Sequence, residues 1–376
     1  MLTRLIQYFL NAVTASLLAT SIAAHAANND IIIGQSIDLS GPNASIGRDY
    51  VAGIKTYFDM VNAAGGINGR RIQYIVLDDQ GQPQLSAKAA SELLDRYQID
   101  YLLGGVGDDA TRAVLDSPAF RRSGHILFAP LAAADYASSG RVLFWRPGYK
   151  QEVRHIFSHF SKLGLNDVGV VYQDTPLNQD AYRALSAAVQ ERGMKLVGSA
   201  RIGVNGEQLA QEARRLAEAK PGFILVIADT IGTAQFLKEY RQHDGQTFVA
   251  GTSLTNLSTL RELAGSKAVE WTVFSQVVPN PSAGTTLIQV EHLSMMKKFR
   301  DEAVSSLTLE GFAAAKALTK AIQQSKRNGR SALQELISQN GTIDLGGLSA
   351  ATSGESNRLS NYLDIALFKK GSGLVF

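Results

Sequence analysis

The sequence predicts an α/β protein made of two lobes, each built on a doubly wound parallel sheet. Strand-like apolar runs alternate with helix-like segments along most of the chain, and they do so in two successive series. Strands and helices that alternate in this way form parallel sheets with right-handed crossovers. The length of 376 residues exceeds one ordinary hydrophobic core, so two lobes of about 150 residues or more are expected.

The first series extends from the N-terminal apolar triplet to a run that ends at Phe128. Its strand-like runs are 31–33, 72–77, 101–103 and 125–128, and its helix-like segments are 49–62, 85–97 and 110–122. After the first helix, Gly65 or Gly66 suits the left-handed residue that ends a helix. Asn68-Gly69 is a preferred pair for a tight turn. This segment therefore predicts a helix, a turn and a strand in that order.

The second series begins after Arg146-Pro147-Gly148. Its helix-like segments are 152–163, 179–192, 208–218 and 234–243, and its strand-like runs are 168–172, 195–197, 223–227 and 248–249. Val278-Pro279-Asn280-Pro281 ends the series, because proline cannot donate to a sheet ladder. Helix-like segments 290–301 and 309–324 and a β-like run, 362–368, follow. From the residues alone, this tail is compatible with a third domain.

The first 26 residues have the features of a secretory signal peptide. Arg4 precedes a short apolar run, and Ala24-His25-Ala26 supplies the small residues of a cleavage site. Polar residues interrupt the run before the ~20 apolar residues that a membrane-spanning helix needs, so an anchor is the weaker interpretation. We expect cleavage after Ala26 and an exported protein that is not inserted in the membrane.

Composition and motifs argue against nucleic-acid binding, metal binding and catalysis. A formal charge of +3 does not indicate the basic surface of a nucleic-acid-binding protein. The absence of cysteine excludes disulfides and thiol chemistry. His155 and His159 have i, i+4 spacing, but the glutamate of a His-Glu-x-x-His motif does not follow His155. The run Gly104-Gly105-Val106-Gly107 departs from dinucleotide-binding spacing, and no catalytic motif is visible. We expect no metal, no cofactor and no enzymatic activity, and an α/β enzyme is the least favoured reading.

Several motifs are weak evidence individually, but their order along the chain is specific. They are Ile31-Ile32-Ile33-Gly34-Gln35 with Ser40-Gly41-Pro42, the helix-turn-strand segment 62–79, Ser275-Gln276-Val277-Val278-Pro279, Leu309-Glu310-Gly311-Phe312-Ala313-Ala314-Ala315-Lys316, and Asp344-Leu345-Gly346-Gly347 with Asp364-Ile365. Together they resemble the periplasmic leucine/isoleucine/valine-binding protein family, the extracytoplasmic receptors of ABC importers. The resemblance covers essentially the whole mature chain.

The resemblance implies a type I periplasmic binding fold, in which three crossovers join the two lobes. It implies a first lobe of residues 27–146 plus 279–343 and a second lobe of 147–278 plus 344–376. It also implies a small-molecule ligand held between the lobes and a membrane permease as the partner. We expect the protein to be a monomer.

The resemblance assigns ligand-facing positions on the first lobe to the loops beyond the strand ends, where open α/β sheets bind ligands. Asp108 stands where amino-acid-binding relatives have a serine that helps to hold the ligand carboxylate, and Ala133 replaces a threonine. The alternative for Asp108 or Asp109 is a helix N-cap. The first-lobe candidates are Ile46, Asp108, Asp109, Leu131, Ala132 and Ala133.

On the second lobe, the resemblance places Ser253 where an acidic residue would pair with a ligand ammonium group. Asp229 and Thr230 lie near the family's aromatic ligand contact, and Leu177 replaces the usual tyrosine. A helix cap is the alternative for Asp229. The second-lobe candidates are Leu177, Asp229, Thr230 and Ser253. Because the partners for carboxylate and ammonium both differ, we expect leucine, isoleucine and valine to bind poorly, and Asp108 and Asp229 to accept hydrogen bonds from hydroxyl, amide or cationic groups.

The sequence thus predicts the substrate-binding protein of an ABC importer, which captures a small polar metabolite, an amino acid or a related compound, by hinge closure. The alternative is a periplasmic ligand sensor that signals through a membrane receptor without transport. Neighbouring genes for a permease and an ATPase, or for a kinase, would distinguish the two.

Overall fold

The computed structural model of the protein describes residues 30–132, 141–325, 332–338, 342–351, 357–371 and 373–376. The strands are β1 (Ile31–Ile37), β2 (Ile72–Asp78), β3 (Tyr101–Leu103), β4 (Leu127–Phe128), β5 (Val142–Leu143), β6 (Asp167–Gln173), β7 (Lys195–Ile202), β8 (Phe223–Ile227), β9 (Phe248–Gly251), β10 (Thr272–Gln276), β11 (Thr342–Asp344), β12 (Ser349–Ala351), β13 (Asp364–Lys369) and β14 (Gly373–Val375). The helices are α1 (Ala44–Ala63), α2 (Pro83–Asp95), α3 (Asp108–Asp116), α4 (Pro118–Ser123), α5 (Tyr149–Lys162), α6 (Pro176–Glu191), α7 (Leu209–Glu218), α8 (Thr230–Tyr240), α9 (Leu257–Ala264), α10 (Leu287–Phe299), α11 (Ser306–Gln324) and α12 (Ala332–Ser338). The expected signal peptide, residues 1–26, lies outside the described residues.

The first five strands form a parallel sheet in the order β2-β1-β3-β4-β5. Successive residues of its strands enter two separate hydrophobic cores. Leu103 and Phe128 lie in the core on one face, while Leu102 and Leu127 lie in the core on the other. Packing on both faces is the arrangement that parallel sheets require.

The second sheet has seven strands in the order β14-β13-β10-β9-β8-β6-β7. Strands β6 to β10 are parallel, whereas β13 and β14 are antiparallel additions at one edge. Ile224 and Val226 of β8 lie in one core, and Phe223 and Leu225 lie in the core on the opposite face. The predicted fold class, two doubly wound α/β sheets, is therefore confirmed.

We call the five-stranded sheet with its packed helices the first lobe, and the seven-stranded sheet with its helices the second lobe. The chain passes between them three times. It leaves the first lobe after β5 and returns after β10, because α10 and α11 pack against α1. It then enters the second sheet again at β13. These three passages are the crossovers that the resemblance implies.

The third crossover lies later in the chain than expected. Leu345 and Ala350, which the resemblance assigns to the second lobe, belong to the hydrophobic core of the first. Leu359 lies in the same core and donates its backbone N–H to the Phe144 carbonyl at 2.9 Å. This packing favours a boundary after Leu359, not at residue 343. The other lobe boundaries stay predictions.

The sequence analysis did not predict β10, α9, α12 or four very short strands. Strands β5, β11, β12 and β14 have two or three residues each. An alternating or continuous apolar pattern becomes readable only over about four residues or more. These strands therefore depend on tertiary pairing and leave no local signal.

Candidate functional site

A cavity of about 570 Å³ lies between the two lobes. It is placed where the carboxyl ends of several strands approach the crossovers, which is the usual ligand position in open α/β sheets. Its described lining residues are Asn43, Ile46, Val106, Gly107, Asp108, Leu131, Gly148, Tyr149, Lys150, Gln151, Arg154, Gln173, Asn178, Ala181, Val226, Ile227, Ala228, Asp229, Thr252, Leu254 and Arg358. Its size is within the range of about 300–1,000 Å³ for small-molecule sites.

The start of α1 forms one part of the first-lobe wall. The buried carboxylate of Asp38 organises the turn before the helix, because Oδ1 accepts from the Gly41 N–H at 2.6 Å and Oδ2 from the Asn43 N–H at 2.8 Å. This turn brings the side chains of Asn43 and Ile46 to the cavity.

Two loops, after β3 and after β4, form the rest of the first-lobe wall. Backbone hydrogen bonds tie them together: Gly107 N–H donates to the Leu131 carbonyl, and Leu131 N–H donates to the Gly105 carbonyl, both at 2.9 Å. Gly107 has a φ of 99°, a conformation that favours glycine, and it takes the N-cap position of α3. Asp108 is the first residue of that helix, is 6% exposed and lines the cavity.

The structure separates the first-lobe candidates. Ile46, Asp108 and Leu131 line the cavity. Asp109 is exposed and Ala132 is fully buried, and neither contributes to the described lining. Ala133 lies outside the described residues.

The alternative that an aspartate caps α3 is wrong. Gly107 holds the cap position, and both aspartates lie in the first turn of the helix. The helix dipole still favours negative charge at that place.

Asp229, which follows β8, both caps a helix and lines the cavity. Its Oδ1 accepts a hydrogen bond from the Gly232 N–H at 2.7 Å, so the predicted cap of α8 is confirmed. Its own N–H donates to Oε1 of Gln173 at 3.4 Å, and Gln173 also lines the cavity. Asp229 thus combines a capping role with a place in the cavity wall.

Ser253 lies behind the second-lobe wall. It is 8% exposed, and its backbone N–H donates to Oε2 of Glu152 at 2.9 Å, while the residues on either side of it line the cavity. Leu177 belongs to the first turn of α6, but its side chain lies outside the described part of the structure. Asn178, the next residue, lines the cavity.

The side chain of Asn256 joins the two lobes beside the cavity. Its Nδ2 donates to the Ser45 carbonyl at 3.0 Å and to Oδ2 of Asp49 at 3.1 Å, and its Oδ1 accepts from the Thr259 N–H as the cap of α9. Thr230, a predicted ligand residue, lies behind the wall instead: it is 1% exposed and its Oγ1 accepts from the Asn256 N–H at 3.1 Å. Burial raises the pKa of Asp49, an effect that its hydrogen bonds partly offset.

The first turn of α5 is a cavity wall that the sequence analysis missed. Gly148 takes the N-cap position, and Tyr149, Lys150 and Arg154 line the cavity. The break Arg146-Pro147-Gly148 was the available signal, since proline and glycine often precede a helix start.

Arg358, on the third crossover, is the other missed residue. Its guanidinium carbon lies 4.3 Å from the centroid of the Phe144 ring, and its Nη1 donates to the Arg146 carbonyl at 3.1 Å. It lines the cavity although it is 9% exposed. Nothing in the local sequence marks it, because it follows no strand-like run.

A buried ion pair supports the first crossover beneath this wall. Nη2 of Arg146 lies 2.7 Å from Oε2 of Glu310, and both side chains are almost fully buried. Burial alone lowers the pKa of Arg146, but the Glu310 carboxylate and its hydrogen bonds raise that pKa above its ordinary value overall. Glu152 lies nearby, and its Oε2 also accepts from the Ser275 hydroxyl at 2.6 Å.

The described residues contain no cluster of three or more metal-ligating side chains. His155 and His159, the i, i+4 pair noted in the sequence, lie on α5. Burial, followed by the electrostatic effect of His155, lowers the pKa of His159, and the His159 ring packs edge-on against Phe160 with the centroids 5.3 Å apart. Over the same residues, no helix has the length and apolar character needed to cross a bilayer. The arrangement at the cavity, apolar surface with a few charged and amide groups, is suited to hold a small molecule.

Comparison with known proteins gives one family. A sequence model described as periplasmic binding protein matches residues 30–372. The chain is 22% identical over 338 residues to Leu/Ile/Val-binding protein homolog 1 of Brucella melitensis, covering 87% of each chain. It is 31% identical over 101 residues to an amino acid binding protein of Pseudomonas aeruginosa, covering 27% of this chain and 26% of the relative.

Solved structures agree on the fold. A substrate-binding periplasmic protein from Ralstonia solanacearum superimposes with a TM-score of 0.84 at 25% identity, covering 92% of this chain and 99% of the other. The branched-chain amino acid transporter substrate binding protein LivJ from Streptococcus pneumoniae, solved in complex with isoleucine, gives a TM-score of 0.80 at 15% identity with the same coverage. The second similarity bears on the fold alone.

Proposed function

Because the chain belongs to the periplasmic binding protein family, we propose that it captures a small polar metabolite and delivers it to the membrane permease of an ABC importer. The main support is the cavity of about 570 Å³, whose lining comes from both lobes. A ligand that contacts both walls binds the closed arrangement more tightly than the open one, and only this difference shifts the population. Closure about the three crossovers is the proposed mechanism.

The proposed ligand class is an amino acid or a related compound. The names of the relatives, Leu/Ile/Val-binding protein homologs and an amino acid binding protein, support this class. Among the predicted residues, Ile46, Asp108, Leu131 and Asp229 are the proposed direct contacts, since they line the cavity. Thr230 and Ser253 lie behind the second-lobe wall and are proposed to act through the loops that hold it.

We propose a periplasmic location, with export directed by residues 1–26. The family supports this location, and Ala24-His25-Ala26 is the proposed end of the signal peptide. N-terminal sequencing of the periplasmic fraction is expected to give a protein that begins at Ala27. An intact N-terminus in the membrane pellet would contradict export of this kind.

Binding and closure are tested together on protein purified without denaturation. Native mass spectrometry identifies any ligand carried through purification, and that compound is then titrated back into stripped protein. At about 100 times its Kd, it should raise the free energy of unfolding by about 2.7 kcal/mol and reduce the radius of gyration in small-angle scattering. Tight binding with an unchanged radius would argue against hinge closure.

Delivery is tested separately from binding. Uptake of the labelled ligand is compared between cells with and without the gene, and again with the Asp108→Asn and Asp229→Asn variants restored. Loss of uptake supports the importer role. Normal uptake by cells that lack the gene, or that carry only one of the variants, would favour the sensor alternative.

A further inference from the structure

The charged residues of the cavity are divided between its walls. Asp108 is the acidic residue of the first-lobe lining, whereas Lys150, Arg154 and Arg358 line the wall made by α5 and the third crossover. Asp229, on the second lobe, uses one carboxylate oxygen as a helix cap. The described lining is therefore negative at Asp108 and positive at the α5 wall.

We propose that the ligand is an amphipathic carboxylate whose anionic group binds at Arg358 and the first turn of α5. This inference rests on the proposed function. The apolar body of the ligand lies across the side chains of Ile46 and Leu131. Its other end presents a hydrogen-bond donor, an ammonium or a hydroxyl group, to Asp108. This orientation places the donor end against Asp108 of the first lobe and the anionic end against α5 of the second lobe, so that each end contributes to closure.

Arg358 is held in one orientation by its surroundings. One face of the guanidinium lies over the Phe144 ring at 4.3 Å, and Nη1 donates to the Arg146 carbonyl at 3.1 Å. Gly148 is also close to the guanidinium, because a Cβ atom at that position would lie 3.2 Å from the guanidinium carbon. A planar guanidinium fixed in this way is preorganised to bind a carboxylate.

The start of α5 adds to the positive character of this wall. The helix has 14 residues, and the unpaired N–H groups of a helix start favour anions. Lys150 is exposed beside it, and Arg154 is 3.7 Å from Glu191, with both side chains about half exposed or more. The Tyr149 hydroxyl is buried and has no hydrogen-bond partner among the described residues, and burial raises its pKa. It is thus a donor at the edge of the cavity.

Asp108 disfavours the opposite orientation. It is 6% exposed and begins α3 at the cavity. A ligand carboxylate beside it would place two like charges in a poorly solvated space, which disfavours ionisation of one of them. A donor group there is favourable, since hydrogen bonds to a charged acceptor are the stronger kind.

The test uses calorimetric titration with three probes: 5-aminopentanoate, pentanoate and pentylammonium. The unmodified protein should bind 5-aminopentanoate at least 10-fold more tightly than either probe with one charged end. Arg358→Gln should weaken 5-aminopentanoate and pentanoate at least 10-fold and leave pentylammonium unchanged. Asp108→Asn should weaken 5-aminopentanoate and pentylammonium and leave pentanoate unchanged or improve it. Arg121→Gln, at an exposed ion pair with Asp116 on the surface, is the matched control and should change none of these affinities.

If Arg358→Gln fails to fold, the double variant Lys150→Gln/Arg154→Gln takes its place. Lys150 and Arg154 are exposed, so their replacement should not disturb folding. The double variant should weaken the carboxylate probes several-fold. The inference is overturned if the unmodified protein binds none of the series, or if Arg358→Gln affects all charged probes equally or not at all. In those cases, compaction by a ligand recovered in native mass spectrometry would show that the proposed function still holds. Absence of any small-molecule binding would overturn both.

Discussion

Arg146 and Glu310 make a two-point contact where the chain leaves the first lobe. Nε of Arg146 donates to Oε1 of Glu310 at 3.0 Å and Nη2 donates to Oε2 at 2.7 Å. Each side chain is at most 2% exposed. Burying two charges is costly, so the pair is favourable only while both partners are present.

Glu310→Ala should therefore destabilise the protein strongly, by about 3–5 kcal/mol, because it leaves the arginine charged and unpaired. Arg146→Met combined with Glu310→Leu should cost much less, since no buried charge remains. Urea unfolding monitored by circular dichroism measures both values. A double variant as unstable as Glu310→Ala would show that the charges themselves are needed at this crossover.

His292 should make the stability depend on pH. Burial lowers its pKa to about 4, and its Nε2 lies 3.0 Å from the Thr308 hydroxyl. The unfolded chain takes up a proton near the ordinary pKa of about 6.5, before the folded protein does. Stability is therefore lost as the pH falls from about 6.5 to about 4, by roughly 3 kcal/mol in total.

The His292→Gln variant isolates this contribution, since glutamine can keep the hydrogen bond but does not titrate. The difference in unfolding free energy between the original protein and the variant should fall across that pH window and level off below it. A difference that stays constant from pH 7 to pH 4 would show that His292 is not the responsible group.

At the scale of elements, α1 and α11 approach each other through a pair of glycines. A Cβ atom at Gly53 would lie 1.9 Å from the Thr308 carbonyl oxygen, and one at Gly311 would lie 2.2 Å from the Tyr50 carbonyl oxygen. Both contacts are with backbone, so the helices would have to move apart to accept a methyl group.

Gly311→Ala should consequently destabilise the protein by about 1–3 kcal/mol, the usual cost of overpacking a core, despite the better helix propensity of alanine. Gly245→Ala is the control, because a Cβ at that position meets nothing within 4 Å. Thermal unfolding should show a clear loss for the first variant and little change for the second. Equal melting temperatures would mean that the helices separate at little cost.

The elements also show which parts of the molecule are predictable from the sequence. The run 223–227 predicts β8 completely, because five apolar residues form a signal of sufficient length. Asp229 was accessible to sequence reasoning, since the family resemblance marks its position and it follows such a run, which is a usual place for a helix cap. Arg358 was not: it reaches the cavity because residues 357–360 pair with the first crossover through Phe144 and Trp145. Pairing between distant, unpatterned segments leaves no periodicity to read.

At the scale of the whole molecule, the contacts between lobes beside the cavity determine how readily it closes. Leu254, from the loop after β9 of the second lobe, packs against the core of the first lobe. Asn256 in the same loop donates to Ser45 and to Asp49, and Asp49 also accepts from the Ser305 hydroxyl at 2.8 Å. The loop 252–256 therefore contributes both apolar and polar contacts to the arrangement of the lobes.

Asn256→Ser should shift the ligand-free protein toward a more open arrangement. Serine is as good an N-cap as asparagine, so α9 keeps its cap, while the shorter side chain loses the two hydrogen bonds to the first lobe. One of these bonds has a carboxylate acceptor, so the loss should be about 1–3 kcal/mol of closure free energy, or up to about 100-fold in ligand affinity. Small-angle scattering should show a larger radius of gyration for the variant, and saturating ligand should restore the compact value because ligand contacts drive the same closure.

The matched control is Asn205→Ser, at an exposed turn where the asparagine has described hydrogen bonds only to Glu207. The radius of gyration of this control variant should not change. If Asn256→Ser scatters like the original protein and binds ligand equally well, the Asn256 bridge belongs to a contact that persists in both arrangements, and closure must be governed by the crossovers and the cavity walls.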